Sequence, residues 1–431
     1  MSTTDSSASS SVKGSLSQRA KWAGAQPISD LMHRAISNPD LISLAAGFVD
    51  QMTLPVETTK AVVNAILNDP NEARAALQYG TTPGHAPLRQ YILDRLKKED
   101  QSPIVDALTI DQIVLTAGSN QLLHLVADSL LDPGDIVLCA APTYFVFMGT
   151  LSNLGAKSYG VKSDDNGMDP DALEAALKRL EAEGELHRVK AVYLVSYFDN
   201  PRGVSLPQDR RERIVEIVKR WSSKQKIHIL EDAAYRELNY FAGDIPSMLS
   251  VDTGLDTVVL AGTFSKSFSP GIRVGWGVLP RHLIDPVCFQ KGNIDFGSPN
   301  FSQHIVNKAV EMDLYDRHVQ TVRDGYEVKL KATLDAVEEH FSGMDGVTWT
   351  KPEGGLYVWL ALPESINTGP SGELFELAVQ EGVLYVPGEY FYPEGGEPIQ
   401  QNALRLTFGM QDPKNIFRGV ELLAGAVKKI L

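Results

Sequence analysis

The sequence predicts an α/β protein with a second, smaller α+β domain. Three observations point there. At 431 residues the chain exceeds the size at which one hydrophobic core stops growing. From about Leu41 onward, short apolar runs alternate with longer stretches of helical periodicity. After about Asn300 the alternation gives way to one long helical pattern followed by scattered short strands.

The expected strands are Gln112 to Thr116, Asp135 to Ala140, Ala156 to Val161, Ala191 to Ser196, Ile227 to Glu231, Thr257 to Ala261 and Val274 to Val278. Helices between them include Asp169 to Leu180, opened by Asp169-Pro170, and Pro207 to Trp221, opened by Leu206-Pro207. Strands separated by helices imply a mostly parallel sheet flanked by helices. Beyond Asn300, a long helix over Ser302 to His340 is expected. Strands at Val347 to Lys351, Leu356 to Leu360 and Ala403 to Phe408 follow, with helices at Ser371 to Glu381 and Pro413 to Leu431. The division expected is residues 1–40 as a leader and arm, 41–300 as the large domain and 301–431 as the small one. The Ser-rich start, Met1 to Ser10, is too polar to offset its ordering entropy and reads as a disordered leader.

The formal charge of −14 disfavours a nucleic-acid partner, whose phosphates call for a basic patch. No apolar run approaches the ~20 residues that cross a bilayer, and the start lacks a secretion signal, so a cytoplasmic location is expected. Cys139 and Cys288 are the only cysteines and lack metal-ligand spacing; both read as small buried hydrophobes.

Open α/β sheets bind ligands beyond the carboxyl ends of their strands, so the residues that follow each apolar run carry most of the chemistry. The most informative stretch is Gly262-Thr263-Phe264-Ser265-Lys266, continuing to Pro270-Gly271-Ile272-Arg273-Val274-Gly275. A lone lysine after a strand is usually a solvated charge. Here small hydroxyl residues surround it, Arg273 lies seven positions on, and two glycines permit close backbone approach. A buried lysine beside another cation becomes a nucleophilic amine, while Arg273, Thr263 and Ser265 suit a phosphate. Thr116-Ala117-Gly118-Ser119-Asn120 follows a strand and opens a helix whose first N–H groups would face an anion. Glu231-Asp232 ends another strand, and its carboxylates could equally cap a helix.

Ser265-Lys266, three residues, then Pro-Gly, then Arg and Gly resembles the cofactor-lysine signature of the class I/II aminotransferases of fold type I. The further motifs, in the same order, extend the likeness from about Ile42 to Phe408. The resemblance implies pyridoxal 5′-phosphate as cofactor, held by Lys266 as a Schiff base. It implies a phosphate cup of Gly118, Ser119, Asn120, Thr263, Ser265 and Arg273, with Tyr144 of Pro142-Thr143-Tyr144 stacked on the pyridine ring. Asn200, in Asp199-Asn200-Pro201-Arg202-Gly203, and Tyr235 would reach the ring oxygen; Arg202 stands where relatives carry threonine. Asp232 would keep the pyridine nitrogen protonated, with Glu231 on the opposite face of its strand. Tyr79, in Gln78-Tyr79-Gly80, would contact the phosphate of a neighbouring subunit, so a homodimer with shared sites is implied. Arg405, Asn200 and Gly47 would meet the substrate, Arg405 as a fork on its α-carboxylate. Gly354-Gly355-Leu356-Tyr357 is a further family landmark, whereas Phe48-Val49-Asp50-Gln51-Met52 departs from relatives.

The spacing around Lys266 is similar to that of the 2-aminoadipate, aromatic and branched-chain group. The activity implied is transfer of an amino group from such an L-amino acid to a 2-oxo acid such as 2-oxoglutarate or pyruvate. An amino-acid lyase or decarboxylase on the same fold is the alternative. A pyridoxal-phosphate-binding regulatory domain is a third reading, disfavoured because the leader is too short and too Ser-rich for a DNA-binding module and the net charge of the chain has the wrong sign.

Overall fold

The computed structural model describes residues 16–24, 31, 37–38 and 40–431. Seven runs form the body of a nine-stranded sheet: β1 (Ile113–Thr116), β2 (Ile136–Ala141), β3 (Lys157–Asp164), β4 (Val189–Val195), β5 (His228–Asp232), β6 (Val258–Thr263) and β7 (Gly275–Val278). Their order is β3-β2-β4-β5-β6-β7-β1. Every residue of β1, β2 and β5 is buried, as expected of strands covered by helices on both faces. Two-residue strands at Gly395–Gly396 and Gly167–Met168 add to the β3 side.

The pairs from β3 through β6 are parallel, but β7 runs antiparallel to both β6 and β1. This reversal has a consequence for the site. The carboxyl ends of β1 and β6 meet the amino end of β7, with Gly275 paired to both Thr116 and Thr263. Helices fill the crossovers as expected. Pro170–Ala182 is capped by the Asp169 carboxylate, which accepts the Asp171 N–H with proline at the first helical position.

A four-stranded antiparallel sheet follows, ordered Thr348–Trp349, Tyr357–Ala361, Ala403–Thr407, Val386–Pro387. Helices Tyr315–Phe341 and Pro413–Lys428 pack on each other, and Pro413–Lys428 also on the strands Ile42–Ser43 and Val383–Leu384. Two short strands cross the expected domain boundary. Ile42–Ser43 pairs with Val383–Leu384, and Gly395–Gly396 joins the large sheet.

The long helix expected over Ser302 to His340 is in fact two, Asn300–Glu311 and Tyr315–Phe341. Asp313 between them has φ of 55°, a left-handed conformation that short polar side chains tolerate, and Leu314 N–H closes back on the Ala309 carbonyl at 2.9 Å. The apolar pattern continues across the break because both helices face the same core, so periodicity alone concealed it. Within the expected leader, Gln18–Trp22 forms a helix capped by Ser17, with the Trp22 ring lying against Gly155. Met1 to Ser10 lies outside the described residues. Cys139 is buried and Cys288 half-buried. Among the described residues, no helix is long and apolar enough to cross a membrane.

Candidate active site

A cleft of about 310 Å³ opens at the carboxyl ends of the parallel strands. Ser119, Asn120, Tyr144, Asn200, Asp232, Tyr235, Thr263, Ser265, Lys266, Arg273, Arg405 and Gly47 all line it. Thus segments read separately along the chain converge on one place. The Lys266 ammonium reaches across to the Gly47 carbonyl at 3.2 Å.

One end of the cleft is built for an anion. Helix Ser119–Leu130 starts there with Gly118 as its cap (φ 85°), and the Ser119 and Asn120 N–H groups have no carbonyl within the helix to bond. Arg273, itself left-handed at φ 52°, lies over that turn; its Nη2 donates to the Ala117 carbonyl at 3.4 Å and its Nη1 to Ser265 Oγ at 3.4 Å. Thr263 Oγ1 donates to Ser265 Oγ at 2.9 Å, placing both hydroxyls beside the guanidinium. Two glycines make the approach feasible. A Cβ on Gly118 would sit 2.3 Å from Arg273 Nη2, and one on Gly275 would sit 2.4 Å from the Ser119 nitrogen.

The middle of the cleft holds a buried carboxylate. Asp232 accepts the Ala234 N–H and the Tyr193 hydroxyl, each at 3.1 Å, and among the described residues no cation pairs with it. Burial pushes its pKa up to about 6, against the opposing pull of those two donors. Glu231 faces the other side of the sheet, where it pairs with Arg211 at 2.9 Å, both fully buried. Burial raises the Tyr144 hydroxyl to about 12. Tyr235 and Tyr357 share a hydrogen bond of 3.1 Å between their hydroxyls.

At the far end Arg405 is 2% exposed. Its Nη1 donates to Asn200 Oδ1 at 2.8 Å and its Nη2 to the Ala45 carbonyl at 2.7 Å, while Nε has no partner. The rings of Tyr357 and Phe391 lie 4.3 and 5.1 Å from its guanidinium carbon. Among the described residues no carboxylate neutralises it, so a bound anion would be strongly favoured there.

Tyr79 is the exception. It is 79% exposed, outside the cleft, and edge-on to Phe296 at 5.4 Å. Residues that the sequence reading did not assign to the site include Tyr357, Phe48, Phe145, Val146 and, behind Asp232, Tyr193. Tyr357 stood within a recognised landmark, but only the folded sheet brings its ring against Arg405, whose register partner is Trp359; nothing in the sequence marks Tyr193 out from other apolar strand residues. Arg202, at the position of the common threonine, turns outward to Asp165 at 2.6 Å and the Ser163 carbonyl at 3.1 Å.

An anion cradle, an aromatic face, an unpaired buried carboxylate and a lysine thus succeed one another along one cleft. This donor set fits pyridoxal phosphate: the cradle its phosphate, Asp232 its protonated ring nitrogen, Lys266 its aldehyde carbon.

Residues 39–421 match the family described as aminotransferase class I and II. Aromatic-amino-acid aminotransferase 1 of Thermococcus litoralis is 36% identical over 415 residues, 96% of this chain and 94% of its own. The 2-aminoadipate transaminase of Thermus thermophilus is 31% identical over 395 residues, 91% of each chain. The crystal structure of a multiple substrate aminotransferase from Thermococcus profundus superposes with a TM-score of 0.86 at 35% identity, covering 96% of this chain and 97% of that one.

Proposed function

Since the chain belongs to the class I and II aminotransferases and is a pyridoxal-phosphate-dependent aminotransferase of fold type I, we propose that its donor is an aromatic, branched-chain or 2-aminoadipate-like L-amino acid and its acceptor a 2-oxo acid such as 2-oxoglutarate or pyruvate. The observation that carries this reading is Arg405, a buried guanidinium without a carboxylate partner, facing walls made of Phe48, Phe145, Val146 and Tyr357. An α-carboxylate forked on Arg405 leaves the donor's side chain among those apolar groups. The relatives named for aromatic amino acids and for 2-aminoadipate support the same donor range.

When bound, the cofactor supplies a sink for the electron pair left on the donor's α-carbon. Arg273, the Thr263 and Ser265 hydroxyls and the first-turn N–H groups of Ser119 and Asn120, with Gly118 at the cap, hold its phosphate. Tyr144 would cover one face of its ring, Asn200 and Tyr235 would donate to the ring oxygen, and Asp232 would keep a proton on the ring nitrogen. The Lys266 amine would take the proton from the donor's α-carbon and hold it for return in the next step. Arg405 and the Gly47 carbonyl orient the donor so that this proton faces the lysine.

The active unit in this reading is a homodimer, in which Tyr79 of each chain reaches the phosphate of the other, and the enzyme works in the cytoplasm. The deciding experiment offers a panel of L-amino acids with 2-oxoglutarate and pyruvate and measures the 2-oxo acid formed from each donor. Phenylalanine, tyrosine, leucine or 2-aminoadipate should be turned over best; preference for aspartate or for small polar donors would reject the assignment.

A further inference from the structure

One buried ion pair takes no part in the reaction described above. Lys329, on helix Tyr315–Phe341, is 7% exposed and its Nζ lies 2.9 Å from the carboxylate of Asp50, which is 5% exposed. The same ammonium donates to the Gly409 carbonyl at 3.2 Å. Tyr326, three residues earlier on the same helix face, accepts the Asp50 backbone N–H on its hydroxyl at 2.8 Å. One helix face therefore grips both the side chain and the backbone of Asp50. Two ions taken this far from water contribute little net stability, so their arrangement calls for another account.

The segment they hold supplies three pieces of the cleft. The Ala45 carbonyl accepts from Arg405 and the Gly47 carbonyl from Lys266, while Phe48 forms part of the wall. On the other side, Gly409 follows the strand Ala403–Thr407 that carries Arg405. The Phe48 carbonyl presses so closely on Gly409 that a Cβ there would lie 2.2 Å from it. Lys329 thus joins the chain just after Phe48 to the chain just after Arg405.

We propose that Lys329 and Asp50 are positioning residues that set the height of Gly47 and Phe48 over the cleft, and thereby the fit of a bulky donor side chain. The inference rests on the proposed donor class and sharpens it. Neither residue touches the reacting atoms; both act through the loop.

The test uses holoenzyme and two readouts, the calorimetric Kd of 3-phenylpropanoate, an unreactive carboxylate with an aromatic end, and the KM and kcat for phenylalanine. Lys329→Met should weaken 3-phenylpropanoate and raise KM by about ten-fold while kcat changes less than about two-fold. Lys329→Arg, which keeps the charge, should restore most of the affinity. The double variant Asp50→Asn/Lys329→Met should recover thermal stability without recovering affinity; it replaces Lys329→Met if that variant does not fold. Unchanged Kd and KM alongside a lowered Tm would reduce the pair to a structural role and overturn the proposal, as would a fall in kcat at constant KM or a wild type that does not bind 3-phenylpropanoate. A wild type that transaminates only small polar donors would instead reject the donor class, so the two failures are distinct.

Discussion

Asp232 illustrates what a carboxylate buried without a cation beside it costs the protein that carries it. Its folded pKa, raised to about 6 from a usual 3.8, means that the stability linked to its protonation is fully present below about 3.8 and lost as pH rises through 6. Asp232→Asn should therefore stabilise the cofactor-free protein at pH 8 by about 1–3 kcal/mol, with the gain shrinking toward pH 4. The same change should lower kcat by at least about a hundred-fold, because the ring nitrogen loses its anion, and Asp232→Glu should be milder. Urea melts of the cofactor-free variants at the two pH values, beside assays of the holoenzymes, check both signs; a variant with full kcat would make the carboxylate a structural cap. For Lys266, borohydride reduction of the holoenzyme followed by peptide mapping should place the cofactor on that residue, and Lys266→Ala should abolish turnover while retaining affinity through the phosphate cradle. An adduct on any other lysine would refute the assignment.

At the scale of elements, the cradle depends on how closely β7 lies against the start of helix Ser119–Leu130. A methyl group on Gly275 would meet both the Gly118 carbonyl carbon and the Ser119 nitrogen at 2.4 Å. Backbone cannot yield as a flexible side chain can, so the strand or the helix must move. Gly275→Ala should weaken cofactor binding by about ten-fold or more, since the first-turn N–H groups and Arg273 would no longer converge on one point. Equilibrium dialysis of pyridoxal phosphate against the variant reads this directly. A cofactor affinity equal to the wild type would mean that the cradle tolerates the displacement, and the close approach would have no part in binding. The antiparallel course of β7 is what brings Arg273 to this spot, and no parallel strand in its place would do so.

For the whole molecule, the exposed apolar side chains of Tyr79, Phe289, Ile294 and Phe296 are the feature that a single chain leaves unaccounted for. Tyr79 and Phe296 already stack edge to face, which makes one patch of residues from distant parts of the sequence. In the proposed homodimer a second copy covers this patch and each Tyr79 reaches the other chain's cleft. Mixing Tyr79→Ala with Lys266→Ala under conditions of subunit exchange tests it. Each parent should be nearly inactive, and random exchange should return about one quarter of wild-type activity, because half the dimers are mixed and each mixed dimer has one intact site. Demonstrated exchange without recovery would assign Tyr79 to its own chain.

The sequence by itself determined the alternation of strands and helices, the strand ends that bear chemistry, and the grouping of Lys266, Arg273, Asp232 and Arg405 into one family pattern. These were legible because burial on both faces leaves continuous apolar runs such as Ile136 to Ala141, and because a site at strand ends leaves its polar residues directly after them. Tertiary structure alone decided the direction of β7, the break at Asp313, the entry of Tyr357 and Tyr193 into the site and the meeting of Asp50 with Lys329. Periodicity reports which face of an element is buried and not what lies against it. A tyrosine in a buried strand looks the same in sequence whether its hydroxyl meets a buried carboxylate or a carbonyl, and an ion pair between distant segments forms only once both have been placed by the core around them.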